Sequence, residues 1–119
     1  GSYLEMIKDE NLNLDIVYIA TPVKQHYQII KDCLVAKKNV LCEKPITSSL
    51  DQFQELIEIA KQNNCFLMEG MWMKCLPTFK KATEWIESGK IGKVELIKAD
   101  FYKKQQMEFR FYKNPLLAI

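Results

Sequence analysis

Three short apolar runs, separated by helix-length amphipathic stretches and each cut off by a polar break, constrain this chain more than any other feature. Asp15 to Ala20 is nearly all apolar and stops at Thr21-Pro22. Val40-Leu41-Cys42 stops at Glu43-Lys44-Pro45, and Cys65 to Met68 stops at Glu69-Gly70. A run of this length and continuity suits a strand buried on both faces of a parallel sheet.

The intervening stretches read as helices. After Pro22, well placed to open a helix, the residues Tyr27, Ile30, Cys33, Leu34 and Lys37 recur on one face, with Lys37 and Lys38 at the end that favours positive charge. Ser48 or Ser49 caps a second helix, Ser49 with Gln52 fitting a capping box. There Phe53, Leu56, Ile57 and Ala60 keep helical spacing until Asn63-Asn64. Pro77 opens a third, with Phe79, Ala82 and Ile86 on one side and Gly89 as its stop. A last strand is expected over about Lys93 to Lys103, with a change of phase between Leu96 and Ile97. Strand and helix in alternation, joined by short connections, give an α/β fold with a doubly wound parallel sheet.

Open parallel sheets bind ligands beyond the carboxyl ends of their strands. That rule selects Thr21-Pro22, Glu43-Lys44-Pro45 and Glu69-Gly70-Met71-Trp72, all on one edge. Lys44 is the sharpest candidate. An ammonium between apolar walls is pushed toward its neutral form, and such a lysine can exchange a proton with an alcohol or carbonyl. Taken alone, Lys44 would be a surface residue at a strand end; its neighbours at the same edge turn the balance. Glu43 would point opposite to Lys44 if the strand continued, free to accept from a ligand or from backbone amides. Thr21 and Pro22 also suit an ordinary helix start. His26 sits one turn into that helix, where a histidine more often satisfies structure than acts. Trp72 and Phe79 fit core aromatics equally well, and Met68, Met71 and Met73 read as packing. The Lys44-Pro45 bond is expected to be cis: such bonds are about 5–6% of X-Pro bonds in folded proteins, and a sharp turn at a functional edge is a favourable setting.

Composition narrows the partners. Lys and Arg number 17 against 15 Asp and Glu, a formal charge of +2 with the basic residues scattered, so neither a nucleic acid nor an anionic membrane surface is indicated. No apolar run approaches the roughly 20 residues of a membrane helix. The 4 cysteines form no Cys-x-x-Cys pair and the chain has 1 histidine, so no metal site is expected. Cys33, Cys42 and Cys65 sit within apolar patterns, as reduced core thiols of a cytoplasmic protein would. The 4 glycines, Gly1, Gly70, Gly89 and Gly92, form neither a G-x-G-x-x-G fingerprint nor a phosphate-binding loop.

Ile-Ala-Thr-Pro (19–22) with His26, Asn-Val-Leu-Cys-Glu-Lys-Pro (39–45), and Phe-Leu-Met-Glu-Gly-Met-Trp (66–72) with Leu76-Pro77 together resemble the glucose–fructose oxidoreductase/inositol dehydrogenase (Gfo/Idh/MocA) family. Met-Glu-Gly-Met-Trp is most similar to the dihydrodiol dehydrogenase-like branch, and the likeness runs from about Gly1 to Phe101. The resemblance implies an NAD- or NADP-dependent oxidoreductase acting on a polyol, sugar or diol-type alcohol or carbonyl. It implies that residues 1–72 are the second half of a Rossmann domain and 73–119 the start of an α+β substrate domain. By position, Thr21, Pro22 and His26 would line the cofactor crevice, with Glu43 on its nicotinamide side. Lys44 would assist proton transfer at the substrate, and Trp72 would border the substrate pocket. The family's glycine fingerprint should precede Gly1 and its catalytic histidine and aspartate should follow Ile119, so an internal piece is expected. Lys74 stands where this branch often has Arg.

Two other readings stay open on sequence. A phosphoacceptor receiver domain also ends one strand with Thr and the next with Lys-Pro, but only 14 residues precede Asp15, too few for its acidic strands. A chain without catalysis could serve as an interaction or oligomerisation module. In a Rossmann order the strand at 15–20 would lie beside a strand this chain lacks, so these residues alone are expected to self-associate or be poorly soluble and not to bind dinucleotide tightly. A homo-oligomer is the expected assembly.

Overall fold

The computed structural model describes residues 1–100. The chain divides into two compact units, Gly1–Thr83 and Glu84–Ile119. The first holds a parallel sheet of three strands, β1 (Val17–Ile19), β2 (Val40–Cys42) and β3 (Leu67–Glu69), in the order β1-β2-β3. Register runs straight across: Val17 opposite Val40 and Leu67, Tyr18 opposite Leu41 and Met68, Ile19 opposite Cys42 and Glu69. The carboxyl ends therefore finish level, which sets the three polar breaks side by side.

The ladder is shorter than the apolar runs. Only Val17–Ile19 pair in the first strand, because Asn39 Nδ2 donates to the Asp15 carbonyl at 2.8 Å and takes that group out of the sheet. Asn39 also accepts the Phe66 amide at 2.8 Å, so one side chain closes the amino ends of both connections.

A capping box not foreseen from the sequence starts α1 (Tyr3–Lys8), where Ser2 and Glu5 each satisfy the other's backbone amide. Its Tyr3 hydroxyl donates to Asp32 Oδ2 at 2.8 Å. Between β1 and β2 runs α2 (Val23–Val35); between β2 and β3 runs α3 (Leu50–Gln62), whose N-cap Ser49 accepts the Gln52 amide as expected. The two helices pack on each other and α2 packs on β1 and β2. Ile30, Cys33, Leu34, Val40, Cys42 and Leu56 are fully buried between these elements.

Burial on both faces, expected for the first strand, is not what the described residues give. Val17 and Ile19 point under the helices, while Tyr18 on the opposite face is 57% exposed, and Met68 in the same row is also exposed. Within the first unit no helix longer than the 3₁₀ turn at Trp72–Cys75 borders that face.

Lys37 does not continue the helical face. It adopts φ 56° just past α2, with its amide on the Leu34 carbonyl and the Lys38 amide on the Cys33 carbonyl, a Schellman ending. Asn64 (φ 53°) closes α3 in the same way. Pro77 does open a helix, α4 (Pro77–Glu87), and Gly89 at φ 69° ends it, with Lys90 bonding back to Trp85. The strand expected from Lys93 is absent over residues 93–100, where no backbone ladder forms among the described residues. The rest of that expected strand, 101–103, lies outside the described residues. The Lys44-Pro45 bond is cis, as expected.

Candidate functional site

At the carboxyl edge the three breaks are tied to one another. The Glu43 amide donates to the Ile19 carbonyl at 2.9 Å and the Gly70 amide to the Cys42 carbonyl at 2.7 Å, carrying the ladder one step past the strands. A β-carbon on Gly70 would stand 3.2 Å from the Cys42 oxygen and 3.5 Å from Glu43 Cα, which is why the third strand can pass so close to the second here.

Glu43 is half-buried and held on both oxygens. The Tyr18 hydroxyl donates to Oε1 at 2.7 Å and the Lys44 amide to Oε2 at 3.2 Å. These donors, with the Lys44 charge a lesser contributor, hold its carboxyl below the usual range, and the same bond raises the Tyr18 phenol. Tyr18 was hidden from sequence reasoning inside an apolar run; the period-two alternation that turns it outward was its only signal.

Lys44 is exposed at this edge. The apolar walls expected around its ammonium are not supplied by the described residues. Thr21 and Pro22 are exposed beside it. His26, by contrast, is 1% exposed beneath the edge. Its Nδ1 lies 2.9 Å from the Pro45 carbonyl oxygen and its Nε2 2.7 Å from the Thr21 carbonyl oxygen. Both partners are acceptors; a neutral imidazole donates to one at a time and an imidazolium to both. Glu69, at the end of β3, accepts the Ile46 amide on Oε1 at 2.9 Å.

Trp72 begins a 3₁₀ turn, Trp72–Cys75, and is 60% exposed. With Tyr18, Leu41, Met68 and Met71 it surrounds a hollow of about 360 Å³ on the uncovered sheet face, with Glu43 at the rim. The edge therefore sets an apolar shelf beside the Glu43 carboxylate, with the exposed Lys44 next to it in the chain. It fits the nicotinamide-ribose end of a dinucleotide. It does not fit the pyrophosphate, for which the sequence holds no glycine-rich turn. No group of three or more His, Cys, Asp or Glu that could hold a metal occurs among the described residues.

Residues 1–71 match the family model for the oxidoreductase family with an NAD-binding Rossmann fold. The chain is 46% identical over 94 residues to D-xylose 1-dehydrogenase (NADP(+)) of Hypocrea jecorina, covering 79% of this chain and 24% of that protein. It is 36% identical over 101 residues to trans-1,2-dihydrobenzene-1,2-diol dehydrogenase of Danio rerio, covering 85% of this chain and 30% of the relative. Among solved structures, a probable dehydrogenase from Thermotoga maritima superposes with a TM-score of 0.70 at 34% identity, over 77% of this chain and 27% of that one. The scyllo-inositol dehydrogenase of Lactobacillus casei, with bound NAD(H) and scyllo-inositol, gives 0.69 at 26% identity, over 77% and 27%. The chain thus spans 24% and 30% of the length of these two curated relatives.

Proposed function

Because the chain belongs to the Gfo/Idh/MocA oxidoreductase family, we propose that it forms the nicotinamide-side wall of an NAD- or NADP-dependent dehydrogenase. The substrate class is a polyol, sugar or diol-type alcohol and its carbonyl, as the names of the sugar and diol dehydrogenases it resembles suggest. Residues 1–72 are assigned to the second half of the Rossmann domain, a division supported by the family match ending at residue 71, and 73–119 to the beginning of the substrate domain.

One observation carries the reading: three strands in level register deliver Thr21-Pro22, Glu43-Lys44-Pro45 and Gly70–Trp72 to the same carboxyl edge. A nicotinamide cofactor held along this edge would supply hydride exchange with the alcohol or carbonyl carbon. Lys44 would act as the free amine, taking up the hydroxyl proton as hydride leaves and so becoming the ammonium that returns it in reverse. Glu43 accepts from the ribose or carboxamide, its carboxylate already held ionised by Tyr18. Thr21 and Pro22 border the cofactor crevice, with His26 behind them, and Trp72 borders the substrate. Free thiols at all four cysteines fit a reducing cytoplasm. A homo-oligomer is the assembly this reading expects, while the outer edge of β1 is where the first half of the Rossmann domain would pair.

The test is turnover of D-xylose, scyllo-inositol and a trans-dihydrodiol with NAD⁺ and with NADP⁺, in the whole protein and its Lys44→Met variant. Turnover should fall about 10²–10⁴-fold in the variant, the size of a general acid–base contribution, and far more than cofactor affinity. Normal turnover in Lys44→Met refutes the lysine's role. Absence of both turnover and NADH binding in the parent favours an interaction module instead.

A further inference from the structure

We propose that His26 and Glu69 form a pair of positioning residues: gripping the Pro45–Ile46 peptide from two sides, they set where the Lys44 ammonium stands. The inference rests on the proton-transfer reading of Lys44 above and goes beyond it to residues that never meet substrate.

A peptide unit is a rigid plate with one acceptor and one donor. In the plate that follows Pro45 both are taken by side chains from other elements. The carbonyl faces His26 Nδ1 at 2.9 Å and the amide reaches Glu69 Oε1 at 2.9 Å. The Ile46 side chain is itself buried in the core, a third anchor. His26 comes from the first turn of α2, and its other nitrogen lies 2.7 Å from the Thr21 carbonyl. The grip needs the proton on Nδ1, which then donates to the Pro45 carbonyl; only the imidazolium would bond the Thr21 carbonyl as well. Glu69 is the last residue of β3. The plate is therefore held from α2 on one side and from the end of β3 on the other.

Lys44 has no such support of its own. Its side chain is exposed and forms no hydrogen bond or ion pair with a described residue, so its root position is decided by the backbone that begins one residue later. A catalytic group displaced by about 1 Å can cost about 10²-fold in rate. Buried below the surface with both ring nitrogens facing backbone carbonyls, His26 acts through the backbone rather than on the cofactor.

The experiment compares kcat, substrate KM, NADH affinity and thermal midpoint for Glu69→Ala, Glu69→Gln, His26→Gln, His26→Asn and Lys44→Met in the whole protein. Gln at 69 keeps a carboxamide oxygen for the Ile46 amide. Asn at 26 keeps a nitrogen close to the Nδ1 position, whereas Gln keeps one near Nε2 and leaves the Pro45 carbonyl without its partner. Glu69→Ala and His26→Gln should lower kcat by about 10²-fold with NADH affinity unchanged, and Glu69→Gln and His26→Asn should recover most of it. In parallel, amide exchange at Ile46, read by NMR in the unsubstituted protein and in Glu69→Ala, should accelerate at least tenfold in the variant. Turnover lost in Lys44→Met but kept in Glu69→Ala and His26→Gln overturns the grip alone. Turnover kept in all three overturns the lysine reading and with it the purpose of the grip. An Ile46 amide that exchanges as fast in the parent as in Glu69→Ala also overturns it, independently of any activity.

Discussion

Replacing Lys37 with Gly should stabilise this fold, and the helix end explains by how much. Lys37 is held at φ 56° because the Schellman ending of α2 needs a left-handed residue there before the chain can turn into β2. That conformation costs a non-glycine residue about 1–2 kcal/mol. Against this, glycine adds unfolded-chain freedom worth about 0.5–1 kcal/mol. The side chain contributes little to offset, since Lys37 is exposed and forms no ion pair among the described residues. At the middle of these two ranges the net gain is about 0.75 kcal/mol, which in a domain of 60–100 residues raises the thermal midpoint by roughly 3–6 °C. Asn64 at φ 53° closes α3 identically, but asparagine tolerates the left-handed region, so Asn64→Gly should gain roughly a few tenths of a kcal/mol at most. Calorimetry or urea unfolding of the parent and both variants gives the comparison. A Lys37→Gly protein no more stable than the parent, or gaining less than Asn64→Gly, refutes this account of the helix ends and of the register they impose on β2.

Two further outcomes follow from burial and from the open sheet. Burial pushes the Cys33 thiol up to about 11 and the Cys42 thiol up to about 12. In the folded protein at pH 8, iodoacetamide should therefore label the exposed Cys75 and leave both untouched, as peptide mass mapping would show. The sign for stability follows: these values lie above the ordinary thiol value of about 8.5, so the contribution is intact below that pH and is lost as pH climbs toward 11–12. Among the described residues nothing pairs with the outer edge of β1, and Ile16 and Tyr18 are exposed there. Sedimentation of this 119-residue chain should thus reveal dimers or larger species, with no tight NADH binding by fluorescence; a monomer binding NADH at micromolar levels contradicts it.

The amino-acid order determined what is local. Pro22, Ser49 and Pro77 mark helix starts through chemistry that needs no partner: a preset φ or a hydroxyl facing a free amide. Apolar runs broken by Thr21-Pro22, Glu43-Lys44-Pro45 and Glu69-Gly70 announced three parallel strands and the edge where their ends meet, because strand length and periodicity are properties of neighbouring residues. Tertiary structure decided what depends on residues far apart in sequence. The first strand shrank to Val17–Ile19 once Asn39 claimed the Asp15 carbonyl, and no ladder formed over residues 93–100 among the described residues, since a strand exists only beside another strand. Tyr18 became the donor that keeps Glu43 ionised because the β1–β2 register sets the two 25 positions apart within 2.7 Å. His26 looked like one helical histidine among apolar neighbours until the fold closed it between the carbonyls of Thr21 and Pro45. Hydrogen bonds of this kind join side chains to backbone groups on other elements, and no spacing within the chain encodes them.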